Sequence, residues 1–241
     1  MNTLTTKVFV TLKDIVLILL ITLFFSCDKH LVIPVANSHY FINIYVDDFE
    51  GKSIFLYKLT PKLLKVDSSL VKNNSAYFDG KIDFTERYII TLKDIKGAKL
   101  FIVENDSIEI IIDKTDLRKS TLKGSLINDE LISFQNKSNR ITSKIESLFP
   151  DLQRARLNND AEALKKISSQ IAEIEQENIA FNFEYVNLHP DSFLSAMILN
   201  DLSKREEIDT EKISKSYHLL SKKVKQSVDS KSVERFLLLQ L

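Results

Sequence analysis

Cysteine occurs once in this 241-residue chain, and glycine and proline four times each. A single cysteine excludes an internal disulfide and any Cys-x-x-Cys redox or zinc motif, so stability has to come from packing. Scarce glycine disfavours phosphate-cradling loops, and with scarce proline it disfavours long flexible linkers. An excess of one charge sign is also missing. Lys plus Arg and Asp plus Glu both total 33, which leaves no general field to attract nucleic acid. The four histidines, His30, His39, His189 and His218, fall in no zinc-binding spacing. Ser68, Ser107 and Ser192 sit in no Gly-x-Ser-x-Gly elbow. No catalytic residue, metal ligand or cofactor is therefore expected, and the chain reads as a non-enzyme.

What is present begins with a leader. Lys7 and Lys13 precede eleven apolar-biased residues, Ile15 to Phe25 (IVLILLITLFF). As a helix that stretch is about 16 Å long at ~1.5 Å per residue, half of a ~30 Å hydrocarbon core. The length suits an export signal better than a permanent span. The sequence Leu23-Phe24-Phe25-Ser26-Cys27 resembles a lipobox, with small Ser26 before the only cysteine. The resemblance implies lipid attachment at Cys27, cleavage before it, and palmitate-type acylation of the new N-terminus. Each buried CH₂ adds about 0.8 kcal/mol to anchoring. Residues 1–26 are thus expected to be a lipoprotein signal peptide and 27–39 a tether. The protein is placed in a bacterial cell envelope, held to the inner or outer membrane, with its globular part in the periplasm or at the surface. A plain anchor helix, or a cleaved leader with an incidental thiol, are the alternatives.

From Tyr40 to Lys123 the pattern is strand-like, and residues 40–124 are read as a β module. Tyr40–Val46, Ser53–Leu59, Leu64–Val71, Ala76–Phe78, Arg87–Leu92, Lys99–Val103 and Ser107–Ile112 are β-branched or aromatic runs. Lys72-Asn73-Asn74 is expected to turn the third strand back onto the fourth. Glu104-Asn105-Asp106 is expected to close a hairpin between the last two. About seven short strands with frequent turns predict an antiparallel sandwich or a partly open barrel. Asp47-Asp48 with Glu50 reads as a solvated turn, because the twelve-residue calcium loop is missing.

Near Asn128 the period changes, and residues 125–241 are read as a helical region, giving an α+β protein. Leu131, Phe134, Ser138, Ile141, Ile145, Leu148, Leu152 and Ala155 recur at spacings of three and four. So do Leu164, Ile167, Ile171, Ile174, Asn178, Phe181, Tyr185 and Leu188. Each stripe is polar at one inner position, Ser138 or Asn178. Leu157-Asn158-Asn159-Asp160 predicts a reversal with Asn or Asp capping the second helix, hence a helical hairpin. A dimeric coiled coil is the alternative use of the same stripes. Pro150 should restart the first helix, with Asp151 in the new first turn. Further short helices are expected after His189-Pro190-Asp191-Ser192, around Glu206–Leu220 and over Ser232–Leu239. Lys222-Lys223 and Lys225 read as an exposed helix face.

The stretch from Phe41 to about Leu202 resembles domain of unknown function 4369, a module of Gram-negative envelope lipoproteins that precedes a thioredoxin-like domain. The residues that carry the likeness begin with Gly51-Lys52-Ser53-Ile54-Phe55-Leu56-Tyr57, Val66-Asp67-Ser68 and Asn74-Ser75-Ala76-Tyr77-Phe78-Asp79-Gly80. Val103-Glu104-Asn105, Gly124-Ser125, Asn128-Asp129-Glu130-Leu131 and His189-Pro190-Asp191-Ser192 follow. The resemblance implies a fold and a lipoprotein context, and no catalytic residues. It leads to a membrane-anchored, non-catalytic binding or scaffold module. The partner is expected to be a protein, a second copy of the chain, or a thioredoxin-like protein, and not nucleic acid. Two alternatives stay open: the truncated or split N-terminal half of a thiol–disulfide oxidoreductase, and a sandwich that binds a small ligand.

Overall fold

The computed structural model describes residues 39–59 and 63–240. Strand-forming runs come first along the chain. They are β1 (Tyr40–Tyr45), β2 (Ser53–Lys58), β3 (Leu64–Leu70), β4 (Ser75–Gly80), β5 (Glu86–Leu92), β6 (Lys99–Val103), β7 (Ser107–Ile111) and β8 (Thr121–Lys123). They form two four-stranded sheets, ordered β4-β1-β7-β8 and β3-β2-β5-β6, packed face to face and not closed into a barrel. Alternation explains the packing. On β1, Ile42 and Ile44 are fully buried while Phe41 and Tyr45 face outward. Ile54 and Leu56 of β2, Ile90 of β5 and Ile108 and Ile110 of β7 complete the same core. Tyr40 lies over Gly80, where an added Cβ would come within 2.6 Å of the phenol oxygen, so any side chain there would have to displace the buried Tyr40 ring.

The sheet topology corrects three expectations. β1 and β7 pair in parallel, so the sandwich is not wholly antiparallel. The turn at Lys72-Asn73-Asn74 forms as expected, with Asn73 and Asn74 at φ of 51° and 58°. It is bridged only at its mouth, from Lys72 to Ser75, after which β3 joins β2 and β4 joins β1 in the other sheet. Likewise Glu104-Asn105-Asp106 carries the chain between sheets and not around a hairpin, since β6 pairs with β5 and β7 with β1. Local turn chemistry is indifferent to which sheet each flanking strand enters. β8 carries no signal of its own in the sequence, because its three residues are too few to show a period.

One contact near β8 gives a pH prediction. Asp116 caps the 3-10 turn Leu117–Lys119 and takes hydrogen bonds from the Arg118 backbone and guanidinium. The Arg118 side chain holds its carboxyl down to about 2, against an ordinary 3.8. Asp116→Asn should therefore lower the melting temperature at pH 7. That difference should close as pH falls from about 4 toward about 2, where the native carboxylate protonates. Melting curves across that range check it; a gap that stays constant down to pH 2 rejects the assignment.

Six α-helices follow among the described residues: α1 (Leu126–Glu146), α2 (Phe149–Leu157), α3 (Ala161–Leu188), α4 (Phe193–Leu202), α5 (Thr210–Leu219) and α6 (Val228–Leu238). α1 stops before Pro150, which sits in the first turn of α2 beside Asp151. Asp160 caps α3 by accepting from the Ala163 N–H at 3.0 Å. α1 and α3 form the expected intramolecular hairpin. Its two inner polar residues meet, the Ser138 hydroxyl donating to Asn178 at 2.8 Å. Ser192, Asp209 and Ser227 cap α4, α5 and α6. The helical core gathers α4 (Met197, Leu199), α5 (Ile213) and α6 (Val233) against Ile102, whose side chain leaves the outer face of β6. The helices thus form a third layer on one sheet.

Candidate functional site

Motif residues scattered along the chain converge where β6 meets the start of α1 and the end of α3. Asn128 is 1% exposed and pairs with one residue of the outermost strand β6. Its Oδ1 accepts from the Ile102 N–H at 2.8 Å, and its Nδ2 donates to the Ile102 carbonyl at 2.7 Å and to the Ser125 hydroxyl at 2.9 Å. The amide thus stands in for a neighbouring strand on an edge that would otherwise be open. Asn105 makes the same pair of bonds with Ile82, in the loop between β4 and β5, accepting its N–H at 3.2 Å and donating to its carbonyl at 2.9 Å. The sequence showed both as turn or helix-start residues; nothing in it marks an amide as a strand substitute.

Two residues beyond Asn128, both oxygens of Glu130 are taken. Tyr185 donates to Oε1, and Ser192 donates to Oε2 at 2.9 Å. Burial first, then the Glu130 contact, push the Tyr185 phenol above its ordinary value. Glu104 lies beside this set and is likewise raised, by burial and then by Asp106. His189 is exposed, with its ring 4.5 Å from that of Tyr185, and Ser192 rather than Asp191 caps the following helix. The arrangement is a closed set of hydrogen bonds. It fastens α1, α3 and α4 together and leaves no nucleophile beside an available base.

A cavity of about 470 Å³ opens between β2, β5 and helices α4 and α6. Its charges answer one another. Arg87 meets Asp201 at 2.6 Å and Asp229 at 2.9 Å, Lys58 meets Glu86, and Lys204 meets Asp201 at 3.5 Å. The cleft is therefore self-neutralised, and its polar groups act as a clamp between sheet and helices.

The other candidates resolve as follows. Cys27 and His30 lie outside the described residues. Asp48 pairs with Lys114 at 2.8 Å, in keeping with a solvated turn. Lys223 lies over the Phe193 ring and Lys225 over Tyr217, so these cations lean on aromatic faces. Among the described residues no group of three His, Cys, Asp or Glu is placed to hold a metal. None of the described helices is long and apolar enough to cross a membrane.

The remaining feature is the arm formed by α1, α2 and α3. Where the body covers its stripes, Leu131 is 5% and Val186 0% exposed. Further out, Ile141, Ile145, Leu148, Ile171 and Ile174 all keep partial exposure, and only Ala155 and Ile167 are buried. Phe149 and Leu157, toward the tip, are 48% and 84% exposed.

No curated protein matches the chain. A family model described as Domain of unknown function (DUF4369) matches residues 31–131. That span takes in both sheets and ends at Leu131, just past Asn128 and Glu130, so Asn105 and Asn128 lie within it and the arm beyond Leu131 does not. The match to DUF4369 thus covers the β-sandwich together with the first turn and a half of α1 that seals its edge.

Proposed function

We propose that this protein is a lipid-tethered component of a bacterial envelope, acylated at Cys27, that works as a non-catalytic binding module. The sandwich is the base, and the α1–α3 arm is the surface presented to a protein partner. The arm carries this reading: its apolar stripes continue past the body with only each other for cover. The run from Ile15 to Cys27 supplies the location, because a short apolar stretch ending in Ser-Cys is the chemistry that lipoprotein processing recognises. An acylated Cys27 sulfur is a thioether and is no longer a nucleophile.

Cys27→Ser is expected to abolish acylation and move the protein from the membrane to the soluble fraction or leave it as an unprocessed precursor. A maleimide probe should find no free thiol in the mature native protein. Unchanged mature size and fractionation of the Cys27→Ser chain, together with a reactive thiol in the native one, would overturn the anchor.

A further inference from the structure

We propose that the partner of the arm is a second copy of this chain, and that two arms pack side by side with tips level to make a four-helix bundle. This rests on the reading of the arm as a binding surface and names its occupant.

The carrying observation is charge that the hairpin leaves spare. Within it, Lys144 and Glu177 form an ion pair at 2.7 Å, which places the Lys144 flank of α1 and the Glu177 flank of α3 on one side. Helical spacing adds Lys137 and Arg140 to the α1 flank, and Glu173 and Glu184 to the α3 flank. All four are exposed and, among the described residues, make no ion pair or side-chain hydrogen bond. One side of the arm is therefore a cationic helix lying next to an anionic one. The apolar stripe leans the same way. Counting from Ser138 and Asn178, which face each other, Ile141 of α1 and Ile174 of α3 turn toward this charged side. The opposite side of α1 offers Gln135, Asn139, Thr142 and Glu146.

A lipid, nucleic acid or singly charged peptide would satisfy one flank and repel the other. A second copy turned about a two-fold axis along the arm satisfies both, because α1 of each then lies over α3 of its partner. With the tips level, Lys137 falls between Glu177 and Glu184 of the other copy. In the resulting square each cationic helix has anionic neighbours, and the partly exposed isoleucines and leucines close into a central core.

Charge reversal separates this pairing from folding, since the four spare groups have no intramolecular partner to lose. The full-length chain is purified in density-matched detergent and followed by sedimentation equilibrium. The native chain should sediment as a dimer, with association weakened by added salt. Lys137→Glu with Arg140→Glu turns the α1 flank acidic apart from Lys144, and Glu173→Lys with Glu184→Lys turns the α3 flank basic apart from Glu177. Each alone should weaken self-association at least tenfold at unchanged helicity. Their equimolar mixture should restore the dimer mass. A native monomer at every concentration, a dimer indifferent to both reversals, or a mixture that stays monomeric each overturns the proposal. A monomer that still fractionates with membranes through Cys27 overturns the self-pairing and leaves the anchor standing.

Discussion

Replacing Asn128 by alanine is expected to destabilise the protein by about 3–5 kcal/mol. The substitution orphans both the N–H and the carbonyl of Ile102, itself fully buried, and takes a partner from Ser125. A buried backbone group left without a partner costs about 1–3 kcal/mol, and two are lost together in a place water does not reach. Urea unfolding gives the measurement: the midpoint should fall sharply while the denaturant slope stays constant. Asn128→Asp is the sharper control. At neutral pH its carboxylate still accepts the Ile102 N–H but faces the Ile102 carbonyl with no proton to give, so it should be at least as harmful as alanine. On acidification the carboxyl gains a proton to donate, and part of the loss should return. An alanine variant within 1 kcal/mol of the parent would show that the edge of β6 does not depend on this side chain.

Asn128 also shows where legibility in the sequence ends. A period of two in Tyr40–Tyr45 and of three to four in Leu131–Ala155 expresses burial on one face, and burial governs which elements form. So the strands, the hairpin, the restart at Pro150 and the cap at Asp160 could all be read locally. Even the Ser138–Asn178 contact was foreshadowed, because each breaks an apolar stripe at a matching depth. Pairing between elements is a different matter. The turn at Asn73-Asn74 has the same backbone whether its strands stay together or part into two sheets. The parallel β1–β7 pair joins residues more than sixty positions apart, with no local signature. For the candidate surfaces, Asn105 and Asn128 were visible as turn and helix-start residues and Glu130 as a family motif residue. Their roles depend on partners 23, 26 and 55 residues away. The spare charges of the arm were in plain view, but they mean something only once Lys144–Glu177 fixes which flanks share a side.

Removing the Arg87 side chain is expected to have the second large effect, through release of the helical layer from the sheet. Arg87 leaves the outer face of β5 and forks between Asp201 of α4 and Asp229 of α6, tying residues 114 and 142 positions away. The two arms of the fork are unequal. Asp201 keeps 55% of its side-chain exposure, so water replaces most of what it loses, and Asp201→Asn should cost less than about 1 kcal/mol. Asp229 keeps 13% and would be left with only the Asn200 amide, at 2.6 Å. A buried charge stripped of its partner costs about 3–5 kcal/mol, so Arg87→Met should fall near the lower end of that range. Lysine has one charged point where two carboxylates need a planar fork, so Arg87→Lys should recover no more than half. The double variant Arg87→Met with Asp229→Asn should be more stable than Arg87→Met alone, because the second change removes the orphan. Amide exchange adds the spatial readout: protection should drop first in α4 and α6, ahead of β1 and β7. If Arg87→Met left the α4 and α6 amides as protected as in the parent, Arg87 would be a passive lining of the cleft and not its clamp.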